Sequence, residues 1–385
     1  NTGALVTHNS GRIDYNTAAP AINDFGGGGI YIFNGAYRGN GGSVSYNTST
    51  YDGGAIDVAN GTAVIDGMTI SGNTTSTADG ALGGAVHIRN TDGAVTITNS
   101  TLSGNIPNAM TAKGGAFTVT GNTINNHATA LLITVTGSLT AYANNITNYT
   151  VGFSDASSGS HNVRHNWWGS SATVVSVGDT DGFNYRLGAA VSEWSEGSLA
   201  DGAAISGGSG VGVVVSHGST VPFNTPAAPV GSPCSDYYDF FTAPGASGDW
   251  TVSVPVSSDG ACDTTFNDTK LFHFALDGSN APDTACAPDS ACWQAYSGVN
   301  GSAGTPRLLT VTVATADLGG TPIVAGDDSG NDPTAVSLAT ITAGGSAQTL
   351  WLGFALLLAL LTAGLGWQRR PQPKRVPIRR NRFRK

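Results

Sequence analysis

Residues 83–105 read GGAVHIRNTDGAVTITNSTLSGN, a stretch with almost no charge and no room for a helix. Apolar residues alternate with polar ones in runs of roughly four to six, the period of strands with one face buried. Gly and Asn punctuate the runs, which is turn chemistry. The phrase is not unique. Double glycines open GGIYIFNG at Gly28, GGAIDVANG at Gly53, GGAVHIRN at Gly83 and GGAFTVTGN at Gly114, at intervals of 25, 30 and 31 residues. A second phrase keeps step as GMTISGN over 67–73 and NSTLSGN over 99–105, with shorter echoes in GNTINN from Gly121 and NNITN from Asn144.

Self-similarity at this period indicates a solenoid or a propeller, and a four-stranded propeller blade needs about 40 residues or more. Each unit is therefore expected to be one coil of a parallel β-helix. Alignment on the double glycines places Tyr31, Ile56, Val86 and Phe117 in one inward file and Phe33, Val58, Ile88 and Val119 in the next. The outward file between them is then Ile32, Asp57, His87 and Thr118. Glycine lets the backbone turn with positive φ and approach the neighbouring coil. Asparagine tolerates the left-handed region and can hydrogen-bond its equivalent one coil away.

These repeats resemble the right-handed parallel β-helix repeats of bacterial surface proteins, including autotransporter-like and polymorphic outer-membrane proteins. RHNWWGS, residues 164–170, is similar to the tryptophan phrase that follows the last coils in such proteins. The resemblance covers about residues 1–170 and implies a β-helix in an extracellular setting. It does not imply an activity, because this architecture carries both adhesins and polysaccharide-cleaving enzymes.

Beyond the repeats, 171–221 is a Gly/Ser-rich connecting region with short strands, and 222–326 has strand candidates in DYYDFF, DWTVSVPV, KLFHFAL and RLLTVTVA. Regular strands with an even cysteine count suggest a disulfide-stabilised β-sandwich. Cys234, Cys262, Cys286 and Cys292 permit three pairings, of which Cys234–Cys262 and Cys286–Cys292 close local loops. A linker at 327–348 leads to the uncharged segment LWLGFALLLALLTAGLGW, residues 350–367. At 1.5 Å per residue it spans roughly 27 Å, enough for a single transmembrane helix over about 349–368. Trp351 and Trp367 mark its edges, where indole rings favour the membrane interface.

Charge supports the same orientation. Nine of the 17 basic residues lie in 369–385, leaving eight against 26 acidic residues upstream, a net −18 on the body. The basic tail is then cytoplasmic and the body external. An acidic body repels nucleic acid, so a DNA or RNA partner is excluded. The chain begins at Asn1 without a signal peptide, consistent with a mature chain or a fragment.

Candidate chemistry is sparse. Asp57 and His87, one coil apart at about 4.8 Å, form an acid/base candidate with Arg89 and Lys113 nearby, or equally a surface ion pair. Tyr237, Tyr238 and Trp250 are candidates for a carbohydrate platform, or equally core. His161 and His165 have a metal spacing only on a helix, and the sequence carries no cofactor or metal motif. The expected protein is all-β: a right-handed parallel β-helix, a β-sandwich and one C-terminal transmembrane helix. Its expected role is that of a surface-anchored adhesin-like or structural envelope protein making multivalent contacts with glycans or surfaces. The alternatives are an extracellular polysaccharide lyase or glycoside hydrolase, and a rigid spacer displaying the sandwich.

Overall fold

A computed structural model describes residues 3–19, 26–76, 82–157, 161–169, 187, 189–220, 233–257, 269–274 and 293–327. The transmembrane segment with Trp351 and Trp367, the basic tail, and Cys262, Cys286 and Cys292 lie outside the described residues. Among those described, no helix is long and apolar enough to cross a membrane. The described chain is all-β apart from one short 3-10 turn at Thr315–Asp317.

Residues 3–169 form a large sheet of 14 strands and a small one of three, in which every pairing is parallel. Each strand pairs with its counterpart one coil away, a pattern compatible with a parallel β-helix. Three faces are distinguishable by their inward files. The first stacks Ile30, Ile56, Val86, Met110, Leu131 and Phe153. The second stacks Tyr37, Ala63, Val95, Phe117 and Leu139. The third stacks Ile13, Val44, Ile70, Leu102, Ile124 and Ile146, and Trp168 follows in register after the Asn145–Trp167 bridge. Nearly all these side chains belong to one buried core, which no isolated coil could assemble.

The files correct the glycine alignment. Gly114 and Gly115 open the second face, not the first, so Phe117 and Val119 belong to the second face. In the first coil Ile30 and Ile32 point inward, while Tyr31 pairs with Asp57 on the outward side. The outward file is therefore Tyr31, Asp57, His87 and Thr111. The reason is that the coil is not of constant length: the hydrogen-bonded separation between equivalents is 26–32 residues in early coils and 22 in later ones.

Two columns of polar side chains run up the corners of the third face. Asn47, Asn73 and Asn105 each accept, through Oδ1, both the backbone N–H and the side-chain amide of the asparagine one coil before, at 2.8–3.0 Å. Their own amides donate to Ile13, Val44 and Ile70 carbonyls. Ser100, Asn122, Asn144 and Asn166 form the second column. These buried amides satisfy the turn backbone that the parallel ladder leaves unpaired.

The second module has a six-stranded and a four-stranded antiparallel sheet. They begin at Glu193–Glu196, so strands from the expected 171–221 connector, including Gly212–Ser216, are part of these sheets. In DWTVSVPV, Trp250, Val252, Val254 and Val256 alternate into the core between them. The doubled aromatics of DYYDFF have a different cause. Tyr238 and Phe240 enter that core, whereas Phe241 joins Ala143, Val213 and Val215 in a second cluster flanked by Tyr142, Trp167 and Trp194. The six-stranded sheet is thus buried on both faces, one of them against the last coils. Asn145 exchanges two hydrogen bonds with the Val191 backbone, and Trp194 Nε1 donates to Asn99 Oδ1 at 3.2 Å.

Candidate functional site

Asp57 and His87 are paired across adjacent coils, His87 Nδ1 lying 2.9 Å from Asp57 Oδ1. The other carboxylate oxygen accepts from Arg89 at 2.7 Å and from the Gly26 N–H at 3.2 Å. Asp52 completes the group, 3.5 Å from Arg89 and 3.8 Å from His87. Neither the Asp57 nor the His87 side chain has any exposed surface. The cause is local. Gly53 turns with φ of +64°, and a Cβ there would collide with the Asp57 Cβ; one on Gly83 would collide likewise with His87. The double-glycine turn folds across the outward side of the strand it precedes, covering what alternation alone would leave in water.

That geometry opposes catalysis by Asp57. Burial would raise its carboxyl, but the hydrogen bond and charge of His87, then those of Arg89, outweigh burial and hold it below the usual carboxylate range. It is an ionised acceptor of three donors, not an acid. His87 Nε2 has no partner among the described residues and is buried. Beside the cluster lies a cleft of about 390 Å³ lined by Arg89, Lys113, Asp92 and Asn60; Asp57 and His87 do not line it.

The other candidates are also enclosed. Tyr237, Tyr238 and Trp250 are at most 3% exposed, so they present no platform. Trp250 packs in the sandwich core and donates to Thr315. Tyr238 donates to Asp201 at 2.5 Å at the side of a cavity of about 590 Å³ that Tyr237 and Asp236 also line. Burial, then the nearby Asp201, raises the Asp236 carboxyl. Cys234 is disulfide-bonded. His161 meets both Ser157 Oγ and Asp155 through the same nitrogen, Nε2, which is not the arrangement of a proton relay. His165 stacks on Phe241 at 4.1 Å, and burial, with Arg164 adding to it, pushes its imidazole down to about 3. Among the described residues no group of three or more His, Cys, Asp or Glu could hold a metal.

What remains partly open to solvent is the third face, although Ser45 is buried and Asn145 bonds the Val191 backbone. Five successive coils direct outward the pairs Ser43/Ser45, Thr69/Ser71, Thr101/Ser103, Thr123/Asn125 and Asn145/Thr147. None of the ten is charged, and Thr69 and Thr101 are exposed. The repeat phrase TxS between two corner columns made this wall legible. A feature not foreseen is the pair Tyr15 and Tyr46 at its edge, visible in sequence only as GRIDYN and GSVSYN, with Tyr before the column asparagine. Nor was the buried pair His217 and Asp239 anticipated, because 22 residues separate them and no pattern links them.

Compared with family models, curated proteins and solved structures, the chain shows no match in any of the three.

Proposed function

We propose that the chain is a surface-anchored, adhesin-like or structural envelope protein, built on a right-handed parallel β-helix, that makes multivalent contacts with glycans or other surfaces. The observation carrying this proposal is the uncharged hydroxyl and amide wall of the third face. Its groups repeat at about 4.8 Å along the stack and about 6.7 Å along each strand. A single such hydrogen bond is weak, at about 1 kcal/mol net. A rigid file of them raises the effective concentration of each next contact.

Display outside a membrane is supported by the apolar segment at 350–367, the basic residues after it and the disulfide at Cys234. The burial and full hydrogen bonding of Asp57 weigh against the lyase or hydrolase alternative.

The test uses the full chain reconstituted in lipid vesicles and mixed with soluble polysaccharides. Vesicles should carry polysaccharide down on sedimentation, with no new reducing ends or unsaturated products. Turnover abolished by Asp57→Ala would replace this proposal with an enzyme. Binding unchanged by Thr69→Lys with Thr101→Lys would move the contact surface to the sandwich.

A further inference from the structure

The corner beside the hydroxyl wall carries one left-handed residue per coil: Tyr15, Tyr46, Gly72, Gly104, Asn126 and Asn148, all with φ between 51° and 65°. Gly and Asn are the residues this conformation tolerates, and a bulky side chain there is an outlier. The two tyrosines are also among the most exposed large side chains described, at 73% and 51%. Their rings stack with centroids 5.2 Å apart and planes 11° from parallel. Tyr46 lies over the space that a Cβ on Gly72 would occupy. The result is a tiled aromatic shelf level with the start of the Ser/Thr wall.

The charge at this corner is balanced. Asp14 stands on the outward file with Ser45 and Ser71. Its side chain is more than nine-tenths buried; one oxygen pairs with Arg12 at 2.5 Å, and Oδ1 accepts nothing among the described residues. Two open aromatic rings beside a file of hydroxyls suit a ligand that has both C–H faces and hydroxyls.

We infer that Tyr15 and Tyr46, with the adjoining wall strands, bind a neutral glycan chain. This deepens the proposed multivalent contact and rests on it. Neutrality follows from charge: the ten wall positions carry none, Arg12 and Asp14 neutralise each other, and a body of net −18 repels an anionic polymer. The sugar ring packs its C–H face on the shelf while its hydroxyls reach the wall.

The experiment measures binding of the full chain in detergent to laminarin and dextran, both neutral, and to polygalacturonate and chitosan, which are charged. Native chain should retain a neutral polymer, and Tyr15→Gly with Tyr46→Gly should weaken that binding about tenfold or more. Because glycine fills the same corner two coils on, this variant should keep or raise the thermal midpoint. Equal binding by the variant overturns the site but leaves the multivalent contact standing. Preference for a charged polymer at low salt, or a midpoint lowered by about 5 °C or more, also overturns it, the latter by showing that the tyrosines are structural. Failure of native chain to bind any of the four polymers removes both inferences.

Discussion

Asn73 shows how much one side chain does in this protein. Its Oδ1 accepts two hydrogen bonds from Asn47, its amide reaches Val44, Ser71 and Asn105, and Asn73 itself is out of contact with water. Asn73→Ala should cost about 2–4 kcal/mol, since it strands several buried polar groups at once. Denaturant unfolding should show a lower midpoint with an unchanged slope. Asp57→Ala should behave as a stability lesion of about 3–5 kcal/mol, because Arg89 and His87 lose their shared acceptor. Its pH dependence has a definite sign. The folded Asp57 carboxyl lies below its unfolded value. Its contribution is therefore complete above the ordinary carboxylate range and disappears as pH falls through the lower folded value. Acid unfolding of native chain and Asp57→Ala should converge at low pH; a constant gap down to pH 2 would contradict this.

A coil is legible as a phrase. In NSTLSGN, Asn99 turns left-handed, Ser100 joins one corner column and Leu102 points in between outward Thr101 and Ser103. Gly104 then turns left-handed again and Asn105 joins the other column. The NWWG phrase is the same coil with Trp168 in the place of Leu102, 2% exposed at the end of the third inward file. Trp168→Ala should open that end of the core and cost about 3–5 kcal/mol, seen as an early loss in thermal unfolding. Tyr46→Gly tests the corner in the opposite direction. Relieving a left-handed tyrosine should be neutral or stabilising by up to about 1 kcal/mol, net of the lost stack, and calorimetry would reveal it. The double glycine misled the column alignment because it serves two faces. Gly53 and Gly83 precede the first face, while Gly114 precedes the second after a shorter coil. A motif that marks a turn does not say which turn.

The two modules of the described body share a core. Phe241, Trp194 and Trp167 close the last coils, and His217 sits at the same junction, bonded to the Ala190 carbonyl at 2.9 Å and to Asp239. Burial opposes a charged imidazole there, but the charge and hydrogen bond of Asp239, then the Ala190 carbonyl, outweigh it and raise His217. A raised folded value means the contribution is complete below the ordinary imidazole value and is lost as pH rises through the folded one. His217→Ala should cost about 3–5 kcal/mol near neutral pH and less at alkaline pH. Thermal midpoints across that range check it. The sandwich therefore docks along one corner of successive coils, at Asn99, Gly121, Ala143 and His165, and its sheet is aromatic on both faces for that reason.

Strand period, turn chemistry and the asparagine columns were all open to inspection along the chain. They are local consequences of side-chain size, backbone φ and hydrogen-bonding capacity, repeated until the pattern is unmistakable. Burial of Asp57 and His87 was not open in this way, nor was enclosure of Tyr237, Tyr238 and Trp250. Those outcomes depend on which backbone lies over a side chain. A turn folding across a strand, or a second module docking on a sheet, leaves no periodic trace in the residues it covers. The tertiary structure thus weighed against the acid/base pair and added a tyrosine edge to the neutral wall that the repeat phrase had marked.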